Sequence, residues 1–96
     1  MRVVYTDPAL ADLEEITAWL KEHYPGLGRA VERRLGIVVD HIARWPESMR
    51  RSKRRPDVRV APLGRYPYKI FYRVSNDIIE ILHIHHTARE PWDEHE

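Results

Sequence analysis

Cysteine is absent from this chain of 96 residues, and several other features are missing as well. Without cysteine the protein has no disulfides and no thiolate metal sites. Neither a signal peptide nor an apolar run of about 18 residues is recognisable, so we expect a soluble cytoplasmic protein with no membrane contact. A chain of this length supplies one modest hydrophobic core, and we therefore expect a single domain over residues 1–96.

Net charge is also nearly absent, at +1, but the charges are distributed unevenly. Residues 1–49 carry six basic and eight acidic side chains, and residues 74–96 carry one against six. Residues 50–73 are strongly basic, with Asp57 as their single acid and a net charge of +8. Such an excess attracts polyanions or an acidic protein surface, although a solvated basic loop is the plainer alternative. The nine basic residues are Arg50, Arg51, Lys53, Arg54, Arg55, Arg59, Arg65, Lys69 and Arg73.

The apolar pattern predicts an α+β fold. An N-terminal strand and an antiparallel helical hairpin precede a three-stranded antiparallel meander, and the helices pack on one face of a small twisted sheet. Asp7 is the expected N-cap of the first helix, with Pro8 in its first turn, and Pro46 closes the second helix. The predicted elements are strand 2–6, helix 8–24, helix 27–45, a basic loop over 47–57, strands 58–63, 66–75 and 78–86, and an acidic tail over 90–96.

The last two predicted strands form a hairpin around Asn76-Asp77. Asn and Asp tolerate the left-handed backbone of a two-residue turn, so we expect the strands to pair regularly outward from it. On the face that should receive the helices, the expected pairs are Val74 with Ile79, Tyr72 with Ile81, Ile70 with His83 and Tyr68 with His85.

The opposite face of this hairpin, the outer face, collects the polar side chains. A regular ladder places Lys69, Arg73 and His86 together there, and Arg73 also faces Glu80 across the strands. Arg73 is therefore open to two interpretations, a functional cation or a cross-strand ion pair. His83 and His85 are expected on the helix-covered face as core or rim histidines.

The element order, with PYKIFYRV, an Asn-Asp turn and IIEILHIHHTAR, resembles the RelE/ParE family of bacterial toxins from type II toxin–antitoxin modules. The most specific parts are the aromatic-basic-apolar-apolar-Tyr run over 68–72 and the His-x-Ala-Arg ending over 86–89, and the resemblance covers about residues 2–92. It implies a toxin held inactive by a cognate antitoxin that folds on binding, in a toxin–antitoxin hetero-oligomer.

Two activities occur in this family, so the resemblance implies two possible targets. RelE-like members cut messenger RNA on the ribosome without a metal, and ParE-like members bind and poison DNA gyrase. For a nuclease, His86 would exchange protons, and positive charge would come from Lys69, Arg73, Arg59 and Arg89. RelE-like members usually have Arg where Lys69 stands and often a Tyr, or a His-Tyr pair, near the C-terminus, and no Tyr follows Tyr72 here. The ending HHTAREPW is more similar to the His-Gly-Ala-Arg ending of ParE-like members, with Thr87 in the place of that Gly. We therefore expect the gyrase-directed activity, with ribosome-dependent RNA cleavage as the alternative.

The remaining candidate residues are expected to bind a partner. Three histidines near the chain end, at 83, 85 and 86, do not predict a metal site, because adjacent strand residues point to opposite faces and leave at most two ligands together. No cofactor is expected. A plain nucleic-acid-binding module is a third possibility, although no recognised DNA- or RNA-binding motif accompanies the basic residues. The candidate binding residues are Arg50, Arg51, Lys53, Arg54, Arg55, Arg59, Arg65 and Trp92.

Overall fold

A computed structural model describes residues 1–88 of the chain. The described residues form two helices and a five-stranded sheet, in the order strand, two helices, four strands. The elements are β1 (Arg2–Tyr5), α1 (Asp7–His23), α2 (Leu27–Arg44), β2 (Arg50–Arg51), β3 (Val58–Pro62), β4 (Tyr68–Ser75) and β5 (Ile78–His86).

The strand order in the sheet is β1-β5-β4-β3-β2. The chain leaves β1, passes through both helices and returns along the meander, so the first strand and the last lie side by side and run parallel. All other neighbours are antiparallel. The predicted α+β class is confirmed, and the sheet is mixed because β1 joins the meander at β5.

Both helices pack on one face of the sheet and bury the main core there. This core draws Ala9 and Leu20 from α1 and Val31, Val38 and Ile42 from α2, against inward-facing residues of β3, β4 and β5. The other face, which we call the outer face, has a smaller buried cluster without any helix residue. Its members are Val58, Val60 and Phe71, with Leu82 packed against them.

The first helix is capped by Thr6, so the prediction of Asp7 as N-cap is wrong. Thr6 has an extended backbone, and its Oγ1 accepts from the Ala9 N–H at 3.4 Å while lying 2.8 Å from Ile81 O, to which the hydroxyl donates. The side chain can serve both helix and sheet because it sits at the junction of β1 and α1. Asp7 instead lies in the first turn, where its charge complements the helix dipole.

The turn between the helices is tight, and Gly26 there has a φ of +94°, a conformation that favours glycine. The helix side chains that pack in the core against the sheet are buried, whereas Trp19 is 46% exposed and Trp45 is 62% exposed. Within residues 1–88, no helix combines the length and the apolar character that crossing a membrane would need.

The sequence predicts a loop throughout residues 47–57. This prediction is wrong for Arg50–Arg51, which form a short edge strand, β2. Arg50 pairs with Val60 and Arg51 with Arg59, and the Ser52 N–H donates to Val58 O at 2.7 Å. Both β2 side chains are exposed, so no apolar alternation marks this strand in the sequence. Only the main-chain pairing with β3 reveals it.

Candidate functional site

The β4–β5 hairpin carries most of the predicted site residues, and its register changes part-way along. Asn76 and Asp77 form the predicted two-residue turn, with φ of +49° and +65°, which confirms the turn. The four pairs nearest the turn are also the predicted ones. Beyond a β-bulge at Phe71/Tyr72 the ladder shifts by one residue, so that Phe71 pairs with His83, Ile70 with Ile84, Lys69 with His85 and Tyr68 with His86.

The spacing of apolar residues on β5 explains the shift. Ile79, Ile81 and Ile84 are all buried in the helix-side core. The step from Ile81 to Ile84 is three residues where a regular strand needs two, so one extra residue must be accommodated as a bulge. A regular ladder would bury the imidazoles of His83 and His85 and expose Ile84, which costs more than a local break in the ladder. This three-residue step is the signal that could have corrected the prediction.

The shift changes which histidines lie beside the basic residues. His86 pairs with Tyr68 on the helix side, and their rings meet edge to face with centroids 5.3 Å apart. The predicted grouping of His86 with Lys69 on the outer face is therefore wrong. His83 and His85, predicted on the helix-covered face, lie instead on the outer face, where His85 pairs with Lys69.

Arg73 lies on the outer face near the turn and is held by two carboxylates. Its Nε and Nη2 donate to Glu80 Oε1 at 3.1 and 3.0 Å, and its Nη1 lies 3.7 Å from Asp57 Oδ2. The predicted cross-strand pair is thus confirmed. Because both side chains of this pair are about one-third exposed, we assign it a stabilisation of only about 0.2–1 kcal/mol. Much of the positive charge of Arg73 is compensated within the molecule.

Three arginines of the basic segment donate to main-chain carbonyl groups, among them Arg50, whose Nη1 lies 3.4 Å from Arg51 O. Arg59 Nη1 donates to Glu47 O at 3.1 Å and to Met49 O at 2.7 Å, on the helix side of the sheet. Arg51 Nη1 donates to Pro56 O at 2.9 Å. These contacts brace the segment that leads from α2 to β3. The exposed basic side chains of the segment are Arg50, Arg51, Lys53 and Arg54, and Arg55 is half-buried.

Other predicted binding residues lie away from the hairpin or beyond the described part of the chain. Arg65 lines a shallow pocket of about 150 Å³ together with Arg33 and Arg34 of α2. Arg89, Trp92 and the predicted acidic tail lie outside the described residues. Their proposed roles therefore stay predictions.

Asp12 joins α1 to the part of β5 that lies beyond the bulge. The sequence pattern does not single out this residue. Its Oδ2 accepts from the Ile84 N–H at 2.9 Å and lies 3.1 Å from His83 Nδ1 and 3.9 Å from His85 Nε2. Strand β1 pairs with β5 only as far as Ile81, so the carboxylate satisfies a donor on the sheet edge beyond it. In the sequence, Asp12 is one of several acidic residues on the polar side of a helix, and no local motif marks it.

A groove of about 330 Å³ lies between α1 and the end of β5. Its apolar wall is formed by Trp19 and Ile16, and Trp19 also stacks on His23 with ring centroids 4.5 Å apart. Carboxylates stand beside this wall, so the groove suits an apolar segment that carries a basic residue. The lining residues are Asp12, Glu15, Ile16, Trp19, Tyr68, Ile84, His86 and Ala88.

Two tyrosines have raised pKa values, and in both cases burial is the main cause. Burial raises the pKa of Tyr72 above 10.0, while the nearby Arg59 and a backbone hydrogen bond with Met49 act in the opposite direction. Burial, and then the negative charge of Asp40, raise the pKa of Tyr5. Both phenols therefore stay protonated near neutral pH, and neither is suited to act as a general base.

Comparison with protein-family models identifies the family to which this chain belongs. A family model described as the ParE toxin of the type II toxin–antitoxin system, parDE, matches residues 3–91. The chain belongs to the ParE toxin family. The RelE/ParE resemblance is thereby confirmed, and the protein is a toxin of a type II toxin–antitoxin module, a class that implies an antitoxin partner.

Individual relatives agree with this assignment to the ParE toxin family. The chain is 36% identical to toxin Y4kP of Sinorhizobium fredii over 91 residues, covering 95% of this chain and 92% of that protein. It is 33% identical to toxin RelE2 of Caulobacter vibrioides over 89 residues, covering 92% and 97%. The solved structure of the chromosomal ParDE toxin–antitoxin system from P. aeruginosa shares the fold, with a TM-score of 0.67 and 23% sequence identity. The match covers 90% of this chain and 95% of that chain.

Proposed function

We propose that this toxin arrests growth by binding DNA gyrase in the cytoplasm, and that a cognate antitoxin neutralises it in a hetero-oligomeric complex. The observation that carries this proposal is the dispersal of the predicted catalytic groups. Lys69 lies on the outer face and His86 on the helix side, so these two cannot act on one phosphate. A surface that binds a protein needs no such convergence.

The ion pairs and hydrogen bonds that two arginines form within the molecule support the same conclusion. Arg73 is held by Glu80 and Asp57, and Arg59 donates to two main-chain carbonyl groups. Metal-free RNA cleavage needs cations aimed at the charge that grows on the reacting phosphate. Cations already engaged inside the molecule would first have to be released. The match to the ParE family model and the His-x-Ala-Arg ending also support the gyrase-directed activity.

The deciding experiment assays the full chain, freed of antitoxin, in two reactions side by side. We expect loss of DNA supercoiling by gyrase, with trapped cleaved DNA, and no cleavage of a ribosome-bound message. Cleavage of the message together with unimpaired supercoiling would contradict the proposal. A mock preparation from cells without the toxin gene, carried through the same purification, controls for carry-over of other nucleases.

One observation favours the alternative, a ribosome-dependent endoribonuclease of the RelE-like kind. The bulge brings His83 and His85 to the outer face beside Lys69, so a cation and two imidazoles lie close together. Imidazole can exchange a proton near neutral pH, and an ammonium can stabilise phosphate charge. The nuclease would then use His85 in the place predicted for His86.

Substitutions distinguish this alternative from the original prediction. If the chain cleaves ribosome-bound messages, Lys69→Ala and His85→Ala should lower the cleavage rate by about 10²-fold or more, the usual range for loss of acid–base catalysis. His86→Ala is the matched control, because it removes the neighbouring histidine from the other face. Loss of cleavage in His86→Ala alone would return the site to the one predicted from the sequence.

The groove between α1 and β5 is our proposed docking site for the antitoxin. Trp19 offers a large, half-exposed aromatic surface beside the buried Ile84, the kind of anchor that dominates protein interfaces. The carboxylates of Asp12 and Glu15 stand next to it and suit a basic residue on the partner. An antitoxin segment that folds on binding would therefore place apolar side chains against the groove and a cation at its acidic edge.

Two tryptophan variants test this placement. We expect Trp19→Ala to weaken antitoxin binding by more than tenfold, because a buried aromatic anchor is worth about 2 kcal/mol or more. Trp45→Ala is the matched control, since Trp45 is 62% exposed and does not line the groove. Equal losses in the two variants, measured by titration calorimetry, would contradict the assignment of the groove.

A further inference from the structure

We propose that Asp12, His83 and His85 form a binding site for a divalent transition-metal ion of the Zn²⁺ class. Each residue offers one ligand atom, and the three atoms all lie within 4.8 Å of one another. Two imidazoles and one carboxylate are a common protein ligand set for zinc, with water or a further ligand in the fourth position. This proposal rests on the geometry of these three side chains.

The bulge in the hairpin moves the pair of imidazoles from the helix side to the outer face. His83 and His85 are two apart on β5 and point to the same face, with ring centroids 4.9 Å apart. Adjacent histidines cannot share a face, so His86 cannot join this pair, and the sequence alone therefore predicted at most two ligands together. The third ligand comes from a different element, because α1 brings Asp12 across the edge of β5.

The distances suit an ion after small side-chain rotations. Asp12 Oδ2 lies 3.1 Å from His83 Nδ1 and 3.9 Å from His85 Nε2. Ligand atoms around a tetrahedral zinc ion with bonds of about 2.0–2.1 Å lie about 3.4 Å apart. The three atoms lie within 4.8 Å of one another, so each needs to move by less than about 1 Å to reach this spacing.

The carboxylate is already positioned by the protein. Asp12 Oδ2 accepts the Ile84 N–H at 2.9 Å, which fixes the side chain relative to the strand that carries both histidines. Ligands held in this way by an outer hydrogen bond bind a metal more tightly than free ones. Side-chain exposures of 16% for Asp12, 14% for His85 and 31% for His83 leave the site shielded but reachable from the His83 side.

The chemistry of the ligands selects the class of ion. Imidazole nitrogen favours zinc, nickel, copper and cobalt, whereas magnesium and calcium favour sites made of oxygen alone. A bound ion would join α1 to the end of β5, across about 70 residues of sequence. It would stabilise the folded chain and hold one wall of the groove in place.

The test titrates the full chain, without a polyhistidine tag and after chelator treatment, with ZnCl₂. We expect one Zn²⁺ per chain, a rise in melting temperature on zinc addition, and no binding of Mg²⁺. Each of Asp12→Asn, His83→Ala and His85→Ala should weaken zinc binding by at least about tenfold. Substituted Co²⁺ should give the visible absorption of a four-coordinate site, and that absorption should disappear in His85→Ala.

The matched control is His86→Ala, which removes the next histidine along β5 but from the opposite face. We expect this variant, and His41→Ala on α2, to bind zinc as tightly as the unchanged chain. Asp12→Asn keeps an oxygen to accept the Ile84 N–H, so its fold should be retained, and far-ultraviolet circular dichroism checks this. Absence of stoichiometric zinc binding, equal affinity in the double variant His83→Ala/His85→Ala, or loss of binding in His86→Ala would each overturn the site.

Discussion

The two halves of the β4–β5 hairpin differ in what sets the pairing of their strands. In the half next to the turn, Asn76 and Asp77 set the register, and the pairs are those expected from turn chemistry. In the far half, the ladder is shifted by one residue on β5, and the faces of the histidines are exchanged. Local backbone preference thus controls the pairs near the turn, and burial controls the pairs further away.

The difference shows how a functional face is decided. In the near half, Arg73 pairs with Glu80 across the strands and also lies near Asp57, which precedes β3. In the far half, the bulge collects His83 and His85 on the outer face and α1 contributes Asp12 from the sheet edge. The cluster of Asp12, His83 and His85 therefore lies where the regular ladder is broken.

The largest expected effect comes from the core residue beyond the bulge. Ile84→Ala should lower the free energy of unfolding by about 2–5 kcal/mol, as should Ile81→Ala before the bulge, because both side chains are fully buried. His85→Ala should cost less than either, since its ring lies on the outer face. Urea unfolding measures the three variants. With a regular ladder the order of Ile84→Ala and His85→Ala would be reversed.

The next effect concerns the hydrogen bond from the Ile84 N–H of the far half to Asp12 of α1. Asp12→Ala should lower the free energy of unfolding by about 1–3 kcal/mol, because the Ile84 N–H loses its acceptor. Asp12→Asn should cost less. Amide exchange at Ile84 should become faster in Asp12→Ala, while exchange near the turn is unchanged. Glu14→Ala, at an exposed position of α1, is the control and should stay within about 0.5 kcal/mol.

A smaller effect is expected at Tyr72, the last residue of the near half. Its hydroxyl donates to Pro46 O at 2.7 Å, so Tyr72→Phe should cost about 0.5–1.5 kcal/mol. Because burial raises the pKa of Tyr72 above 10.0, the unfolded chain loses this proton first, and stability falls as pH rises above about 10. Tyr72→Phe should reduce that alkaline loss. The same slope in both chains, measured by urea unfolding across this range, would contradict the assignment.

The smallest effect lies in the turn itself. Asp77 has a φ of +65°, so Asp77→Gly should raise the free energy of unfolding by less than about 1 kcal/mol. Ser75→Gly, in the adjoining strand, is the control and should lower it by about 0.5–1 kcal/mol. Neither variant should alter amide exchange at Ile84. A change there would mean that the turn also governs the far half.

Local sequence patterns determined much of this protein. Helical periodicity, Pro and Gly boundaries and the Asn-Asp turn predicted both helices, the meander and the α+β class, because each depends on residues close together in the chain. The Arg73–Glu80 pair was also predictable, since it lies three residues from the turn. The motifs over 68–72 and 86–89 identified the family.

Only the tertiary structure decided which groups distant in sequence meet. The parallel pairing of β1 with β5 and the edge strand β2 depend on such distant partners, and no local pattern specifies them. The bulge has a local signal in the three-residue step from Ile81 to Ile84, but the face of each histidine follows from packing against the helices. Asp12 reaches His83 and His85 because α1 crosses the edge of β5, a contact that spans 71 residues. The faces of the far half were settled by burying Ile84 in preference to two imidazoles, since an apolar side chain gains from burial and an imidazole must first lose its water.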